Sequence, residues 1–443
     1  MSSYIGLIVI LLFIVLLFFN VPIAIALGAG SIIYCIFFSP LPINMIVQSM
    51  ESGLDSFSLL AVPFFILAGD IMGEGGISRR LINLCRAVFG AISGSLGVVT
   101  VIASMIFAAI SGSGPATVAC VGGITIPEMI KEKYDRGFAC ALTATAGSMG
   151  PLIPPSICLI MYGVIAQQSI TTLFMGGILP GVLNGVALSV LTIFIAKKYK
   201  FGIKDNPQLK KDLATVDQSG EEIHLGKAFK EAIWALLVPV IILGGIYSGI
   251  FTPTEAAIVA CDYGLIVSVF VYKEVKIRDL PKIFKKTVAT NGTILILVAC
   301  ATGFGRVLTM EQIPNSVAMA ITSVTSNKVL LLILINILLL VVGCLMETLS
   351  ALIILTPILL PVVTALGVNP IHFGLIIVMN LVIGQSTPPV GVNLFVAARV
   401  GESKIGEMIK WLIPTILSLI LVQQIVTYVP GIVLGLPKLF HML

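Results

Sequence analysis

Two short runs combine small hydroxyl side chains with glycine and proline inside otherwise apolar sequence. They are Ser111-Gly112-Ser113-Gly114-Pro115 and Gly147-Ser148-Met149-Gly150-Pro151-Leu152-Ile153-Pro154-Pro155. Two more, Glu347-Thr348-Leu349-Ser350 and Gly384-Gln385-Ser386-Thr387-Pro388-Pro389, take up the theme later in the chain. Proline removes an amide donor and glycine permits non-helical dihedrals, so a helix interrupted here leaves carbonyl oxygens without intrahelical partners. Such carbonyls, joined by Ser and Thr hydroxyls, make an oxygen shell suited to a hard monovalent cation such as Na⁺. The positive ends of half-helices beside them can face an anion.

Charged residues within apolar sequence are the other candidates. Glu347 lies between the apolar runs 329–345 and 349–363. An acid there is costly unless it pairs or binds a cation, which makes it an ion-site or substrate-site candidate. Arg306, in Gly303-Phe304-Gly305-Arg306, is either a partner for a substrate carboxylate or a residue anchored at the outer surface. Asp70 and Glu74 border a Gly-rich turn and read as caps. Asp262 stands mid-helix in Cys261-Asp262-Tyr263 with no chemistry to assign, and contact with another subunit is one reading.

The elements that must hold these residues are membrane helices. Of the 443 residues 58% are hydrophobic and only 11% charged, against about 25% charged in a soluble domain, so most of the surface faces lipid. Segments 4–19, 178–196, 233–251 and 329–345 approach the length that spans ~30 Å of hydrocarbon. The net charge of +5 comes with no basic stripe and interleaved aromatics, which excludes a nucleic-acid partner. The eight cysteines stand singly without a CxxC pair, and the three histidines are far apart, so neither a disulfide framework nor a metal cluster is indicated. There is no HExxH or GxSxG, so the chain does not read as an enzyme. The N-terminus has no basic n-region and reads as a retained first helix.

The chain divides in two. Residues 197–231 hold eight lysines and six acids and read as a solvated cytoplasmic linker between repeats at 1–196 and 232–443. Pro127, Pro154-Pro155, Gly150 and Gly69 match Pro361, Pro388-Pro389, Gly384 and Gly303 at a shift of 234, so the backbone breaks recur. The opening helical pairs break at Pro22 and Pro253. Basic residues in 197–230 and 273–286 belong inside by the positive-inside rule. Both termini then lie outside, and the halves are inverted. Stretches 96–110 and 116–129, flanking Ser111–Pro115, are each too short to cross at 1.5 Å per residue. They predict a re-entrant hairpin, with an inverted mate at 329–363. The expected fold is an all-α membrane protein of two inverted repeats, with about 10–11 transmembrane helices plus two re-entrant hairpins.

With these residues in view, the chain resembles the large membrane subunit, DctM-like, of tripartite ATP-independent periplasmic (TRAP) transporters. The resemblance is carried by Pro63-Phe64-Phe65-Ile66-Leu67-Ala68-Gly69-Asp70, Ser111-Gly112-Ser113-Gly114, the run from Gly147 to Ser156, Phe251-Thr252-Pro253-Thr254-Glu255-Ala256-Ala257, Thr356-Pro357-Ile358-Leu359-Leu360-Pro361 and Thr387-Pro388-Pro389. It implies an elevator-type carrier in the bacterial inner membrane, with a transport domain sliding against a scaffold. It further implies a small four-helix membrane subunit, a periplasmic solute-binding protein, and Na⁺-coupled import of a small organic anion such as a C4-dicarboxylate, sialic acid or a similar carboxylate. No organic cofactor is implied. Carried onto this sequence, one Na⁺ site would use Ser111, Ser113, Gly150, Ile153 and Pro155, and the second Glu347, Ser350, Gly384 and Thr387. Substrate contacts would come from Arg306, Ser113, Ser156 and Glu347. The chain departs from the commoner pattern at Glu347, where many relatives have Asp. No four-helix block precedes residue 4, so a fused small subunit is not expected. The competing reading is a stand-alone Na⁺/anion symporter of similar hairpin architecture that needs no binding protein.

Overall fold

Prolines and glycines punctuate this chain, and many of the breaks between helices fall on them. In the computed structural model, residues 2–443 are described apart from 20, 39–40, 90–93, 202–224, 314–315, 317–318 and 320–326; of residues 2–7 only the backbone is described. Among the described residues the structure is all helix with no strand. Eight helical stretches among these residues are long and apolar enough to cross a membrane, and shorter apolar helices accompany them.

The first half opens with α1 (Ser2–Phe18) and α2 (Ile23–Phe37), parted at Pro22, which cannot donate to the preceding turn. Helix α3 (Ile43–Leu54) is amphipathic and leads through a 3₁₀ turn, Phe57–Leu60, into α4 (Ala61–Glu74). Gly76, at φ 72°, turns the chain into α5 (Ile77–Phe89), which buries Leu81, Ile82, Leu84 and Cys85 on one face. Helices α6 (Ser95–Ser111) and α7 (Gly114–Lys131) form the first hairpin. Helix α8 (Arg136–Gly147) is capped by Asp135, whose carboxylate accepts from Phe138 N at 3.0 Å and from Trp411 Nε1 at 2.8 Å. A break at 148–156 leads to α9 (Ile157–Ala166), and α10 (Ile170–Tyr199) returns.

The second half begins with α11 (Leu225–Tyr247). Helix α12 (Pro253–Leu265) starts in a capping box of Thr252 and Glu255, and continues as a π-helical stretch, Ile266–Val271. Helix α13 (Leu280–Met310) follows, then the second hairpin, α14 (Lys328–Leu345) and α15 (Thr348–Ala365). Another broken crossing, α16 (Pro370–Gly384) and α17 (Val392–Val400), precedes α18 (Ile405–Tyr428) and α19 (Gly431–Leu439).

These helices pack as two bodies. Helices α1–α4 lie with α11–α13, and the hairpins and broken helices lie with α10 and α18. Helix α5 touches both, packing on α11 and on α6 and α7. A buried ion pair at 3.1 Å, Arg86–Glu128, fastens α5 to α7. Within the first body, Asp70 takes Lys286 Nζ and Thr287 Oγ1, each at 2.7 Å. Glu274 pairs with Arg79 and Arg80.

Three details differ from the sequence expectation. Asp70 does not cap a turn; it stands inside α4 and pairs across to α13. The polar stretch 197–231 is helical at both ends, because α10 runs to Tyr199 and α11 starts at Leu225; Lys197 and Lys198 fall in the last turn of α10, where the helix dipole favours cations. The rest of that stretch, 202–224, lies outside the described residues. The limbs of the hairpins are 17 and 18 residues in the first and 18 and 18 in the second, longer than the sequence suggested. What makes them re-entrant is where their tips rest.

Candidate ion and substrate site

Each hairpin tip rests on the broken helix of its own half. In the first half the close approach is made by glycines. A Cβ added to Gly150 would lie 2.5 Å from the Ser113 carbonyl oxygen and 2.8 Å from Gly114 N, and one on Gly112 would lie 3.0 Å from the Pro155 oxygen. Gly112, at φ 59°, makes the turn. The tip therefore sits on the break at 148–156, part-way along a crossing, which brings the backbone of the 111–113 tip beside Gly150 and Pro155. Ile153 is close in the chain, but its side chain packs under Gly181 of α10, leaving only its backbone for the site.

Local bonds set which oxygens are free. The Ser111 hydroxyl lies 3.0 Å from Thr117 Oγ1, and Thr117 Oγ1 donates to the Ser113 carbonyl at 2.8 Å. Ser113 is the N-cap of α7, yet its side chain makes no capping bond. Ser156 is buried and caps α9, its Oγ accepting from Leu159 N at 3.2 Å and donating to the Pro151 carbonyl. Its hydroxyl proton is therefore committed to the backbone.

The second half reproduces the arrangement. A Cβ on Gly384 would lie 2.4 Å from the Gly343 carbonyl carbon, so hairpin two closes on its break through a Gly–Gly contact just before the tip. Glu347 is the N-cap of α15 and its carboxylate accepts from Ser350 N at 3.1 Å. This explains a tip acid differently from simple burial. Glu347 keeps an exposed side chain at the tip, and its carboxylate serves the otherwise unpartnered amide of the first turn of α15. Thr387 Oγ1 donates to the Ile383 carbonyl at 2.9 Å, leaving its lone pairs free, and Ser350 is buried. Both Pro154-Pro155 and Pro388-Pro389 are cis.

The two sites touch. Ser386 Oγ donates to the Ala144 carbonyl of α8 at 2.9 Å, and a Cβ on Gly114 would meet Asn393 Oδ1 at 2.9 Å. Asn393 and Gln385 are buried, and among the described residues the side-chain oxygens of both lack a hydrogen-bond partner; so does Thr348 Oγ1. A buried acceptor without a donor carries a free-energy cost of about 1–3 kcal/mol. Free oxygen acceptors near helix breaks are the kind of ligand a Na⁺ ion takes, so the chemistry of the residues present fits that ion. Sequence reasoning passed over Asn393, Gln385 and Thr117. A buried amide two residues beyond Gly391 was the available signal, but only the fold brings Asn393 to the other half's hairpin.

Arg306 lies elsewhere. It faces a cavity of about 880 Å³ between the two bodies, lined by Gln48, Ser49 and Ser52 of α3, Gln167 beyond α9, Thr302 and Thr309 of α13, and Ile353 and Pro357 of α15. Ser113, Ser156 and Glu347 do not line it. The four proposed substrate contacts are thus split between the cavity and the tips. The matched glycines of the first body also differ in what they face: Gly69 of α4 lies against the Ser111 backbone, whereas Gly303 of α13 lies against Ile46 and Met50 of α3. Hairpin one is docked on the first body. The cavity occupies the corresponding place beside hairpin two.

Paired re-entrant tips and paired broken helices make a carrier architecture, and the sequence comparison decides which. The family model described as "Tripartite ATP-independent periplasmic transporter, DctM component" matches residues 10–432. The chain belongs to this family. It is 46% identical over 93% of its length to the isethionate TRAP transporter permease protein DctMQ of Oleidesulfovibrio alaskensis, and spans 63% of that longer protein. It is 39% identical to the C4-dicarboxylate TRAP transporter large permease protein DctM of Pseudomonas aeruginosa, covering 93% of this chain and 94% of that one. It is also 39% identical to the sialic acid large permease protein SiaM of Vibrio cholerae, covering 96% of each. In fold it is similar to MtrF of Neisseria gonorrhoeae, at TM-score 0.61 and 15% identity over 87% of this chain and 85% of that one. A similar likeness holds for the YdaH transporter of Alcanivorax borkumensis, at TM-score 0.60 and 16% identity over 94% and 97%. A DctM chain is thus a helical membrane permease of the TRAP type.

Proposed function

We propose that this DctM chain imports a small organic anion with Na⁺ by an elevator movement of the hairpin body against the α1–α4, α11–α13 body. The observation that carries the reading is the unequal setting of Gly69 and Gly303, two positions 234 residues apart. Moving the hairpin body so that hairpin two fills the cavity beside α13 and hairpin one leaves Gly69 would close one entrance and open the other, which is alternating access. With the basic ends 197–200 and 273–286 inside, both termini are periplasmic, the present cavity opens to the periplasm, and the membrane is the bacterial inner membrane. The repeats run over 1–196 and 232–443.

One Na⁺ would be held by Ser111, Ser113, Gly150, Ile153 and Pro155, chiefly through carbonyls. A second would be held by Ser350, Gly384 and Thr387 with the charge of Glu347 alongside, and Asn393 and Gln385 would supply free amide oxygens between them. Bound cations supply positive charge that draws the anionic substrate to the tips. Arg306 meets the substrate earlier, in the cavity, as a charge-assisted donor. The substrates for which the relatives are named, isethionate, C4-dicarboxylate and sialic acid, are all anions, which supports this class. A small four-helix membrane subunit and a periplasmic solute-binding protein complete the system.

Reconstituted uptake tests the reading. Liposomes holding this chain with its small subunit, supplied with binding protein and labelled carboxylates, should accumulate substrate only with an inward Na⁺ gradient and only with the binding protein. Uptake by the chain alone, indifferent to the other two components, would instead establish a stand-alone symporter. Uptake indifferent to Na⁺ would end the coupling proposal.

A further inference from the structure

Asp262 is the middle residue of the 19-residue span Pro253–Val271. It belongs to a stripe at helical spacing, Glu255, Ile258, Asp262, Ile266 and Phe270, all of which are exposed. Its neighbours on that face are apolar, with Ile266 53% and Phe270 66% exposed. Beside the stripe runs α11, whose Trp234 and Val240 are likewise exposed and whose Trp234 carbonyl accepts from the Tyr263 hydroxyl at 2.8 Å. This is therefore a lipid-depth surface with one carboxylate at its centre. Hydrocarbon offers a carboxylate no donor, so an acid at mid-membrane faces protein or water. The ion site and the cavity lie elsewhere, and neither uses Asp262.

We infer that the α11–α12 face is the docking surface for a transmembrane helix of the small membrane subunit, and that this helix carries a Lys or Arg at mid-membrane depth to pair with Asp262. Charge complementarity selects this occupant over a second copy of the chain. The Lys and Arg side chains of the long described helices stand near helix ends, as Lys198, Lys230, Lys286 and Lys410 do, and Arg306 faces the cavity. A second copy would bring no cation to this depth, and a symmetric pairing would oppose Asp262 to itself. The partner's identity rests on the tripartite reading proposed above; the need for a cationic helix rests on Asp262 alone.

The test is co-purification of a tagged large subunit with the small subunit in lipid nanodiscs, for wild type, Asp262→Asn and Asp262→Lys. Thermal melting of the large subunit alone serves as the folding check. The expected result is a small-subunit yield at least several-fold lower for Asp262→Asn and lost for Asp262→Lys, with melting unchanged. Exchange of the small subunit's mid-membrane Lys or Arg for Glu should restore the Asp262→Lys complex. Cross-linking from Asp262→Cys should mark the small subunit. Equal yields from all three proteins, or cross-links to a second copy only, would overturn the docking surface while leaving transport intact. Failure of the wild-type chain to hold any small subunit would overturn it together with the tripartite reading.

Discussion

The α-carbon of Gly150 lies so close to the Ser113 carbonyl that an added Cβ would fall 2.5 Å from that oxygen. This one contact joins a hairpin tip to a broken helix and fixes the spacing of the oxygens around them. Gly150→Ala should push the tip away. A misfit of this kind costs about 1–3 kcal/mol. Na⁺-dependent uptake should fall at least tenfold while the protein still reaches the membrane, as measured by uptake against membrane abundance. Gly384→Ala, opposed to Gly343, should behave alike. Normal Na⁺ activation in both would show that the tips are not seated on the breaks during transport.

Ser113 and Ser111 should separate ligand from scaffold. The Ser113 hydroxyl makes no hydrogen bond among the described residues, whereas that of Ser111 meets Thr117. Ser113→Ala should raise the Na⁺ concentration for half-maximal uptake about tenfold, the equivalent of ~1.4 kcal/mol, with an unchanged melting temperature. Ser111→Ala should raise it and also lower the melting temperature, because a buried hydrogen bond worth about 1 kcal/mol is lost. Unaltered Na⁺ activation in Ser113→Ala would remove that residue from the ion site.

Asn393 reaches the first hairpin from the second half, with its side-chain oxygen unpartnered. Replacing it by Leu, close in volume, removes a buried acceptor. The 3.4 Å bond from its Nδ2 to Ser386 Oγ is lost as well, so stability should stay within about 1 kcal/mol, while Na⁺-dependent substrate binding, read by calorimetry on the complex, should disappear. Retained binding would make Asn393 a packing residue.

Arg306 is exposed in the cavity, so its removal should leave the fold alone. Arg306→Ala should raise the half-saturating substrate concentration about tenfold or more, as expected for a charge-assisted contact of about 1.5–3 kcal/mol. Arg306→Lys should recover part of it. Uptake kinetics indistinguishable from wild type would return Arg306 to the role of a surface anchor.

The Arg86–Glu128 pair should matter for stability. Arg86→Met alone breaks the buried ion pair, a loss of about 3–5 kcal/mol, whereas the double change Arg86→Met with Glu128→Leu should recover most of it. Detergent melting curves distinguish the two, and equal melting of single and double variants would contradict the buried pairing.

Much of this arrangement is legible in the sequence because it is written in backbone chemistry. Pro22, Gly112, Gly150 and the Pro-Pro pairs mark breaks whatever surrounds them, and all of them fall between helices. The 234-residue shift then yields the pairing of hairpins with breaks. Side chains whose meaning depends on a distant element are the ones it hides. Asp70 reads as a cap until α13 brings Lys286 to it, and Asn393 reads as one apolar-segment amide until hairpin one lies against it. Limb length misled for a different reason. A tilted limb can approach full crossing length and still end at a mid-depth tip, so residue counts alone do not separate re-entrance from crossing.

The bond from Ser386 to Ala144 and the fit of Asn393 against Gly114 have a consequence for how the chain can be divided. Each half's pocket is finished by the other, so a fragment ending near residue 199 would reach the membrane with its own hairpin and still lack a complete cage. Two fragments cut between α10 and α11 and produced together should find each other and regain uptake. The covalent join would then be a convenience of synthesis, and the working unit an interlocked pair.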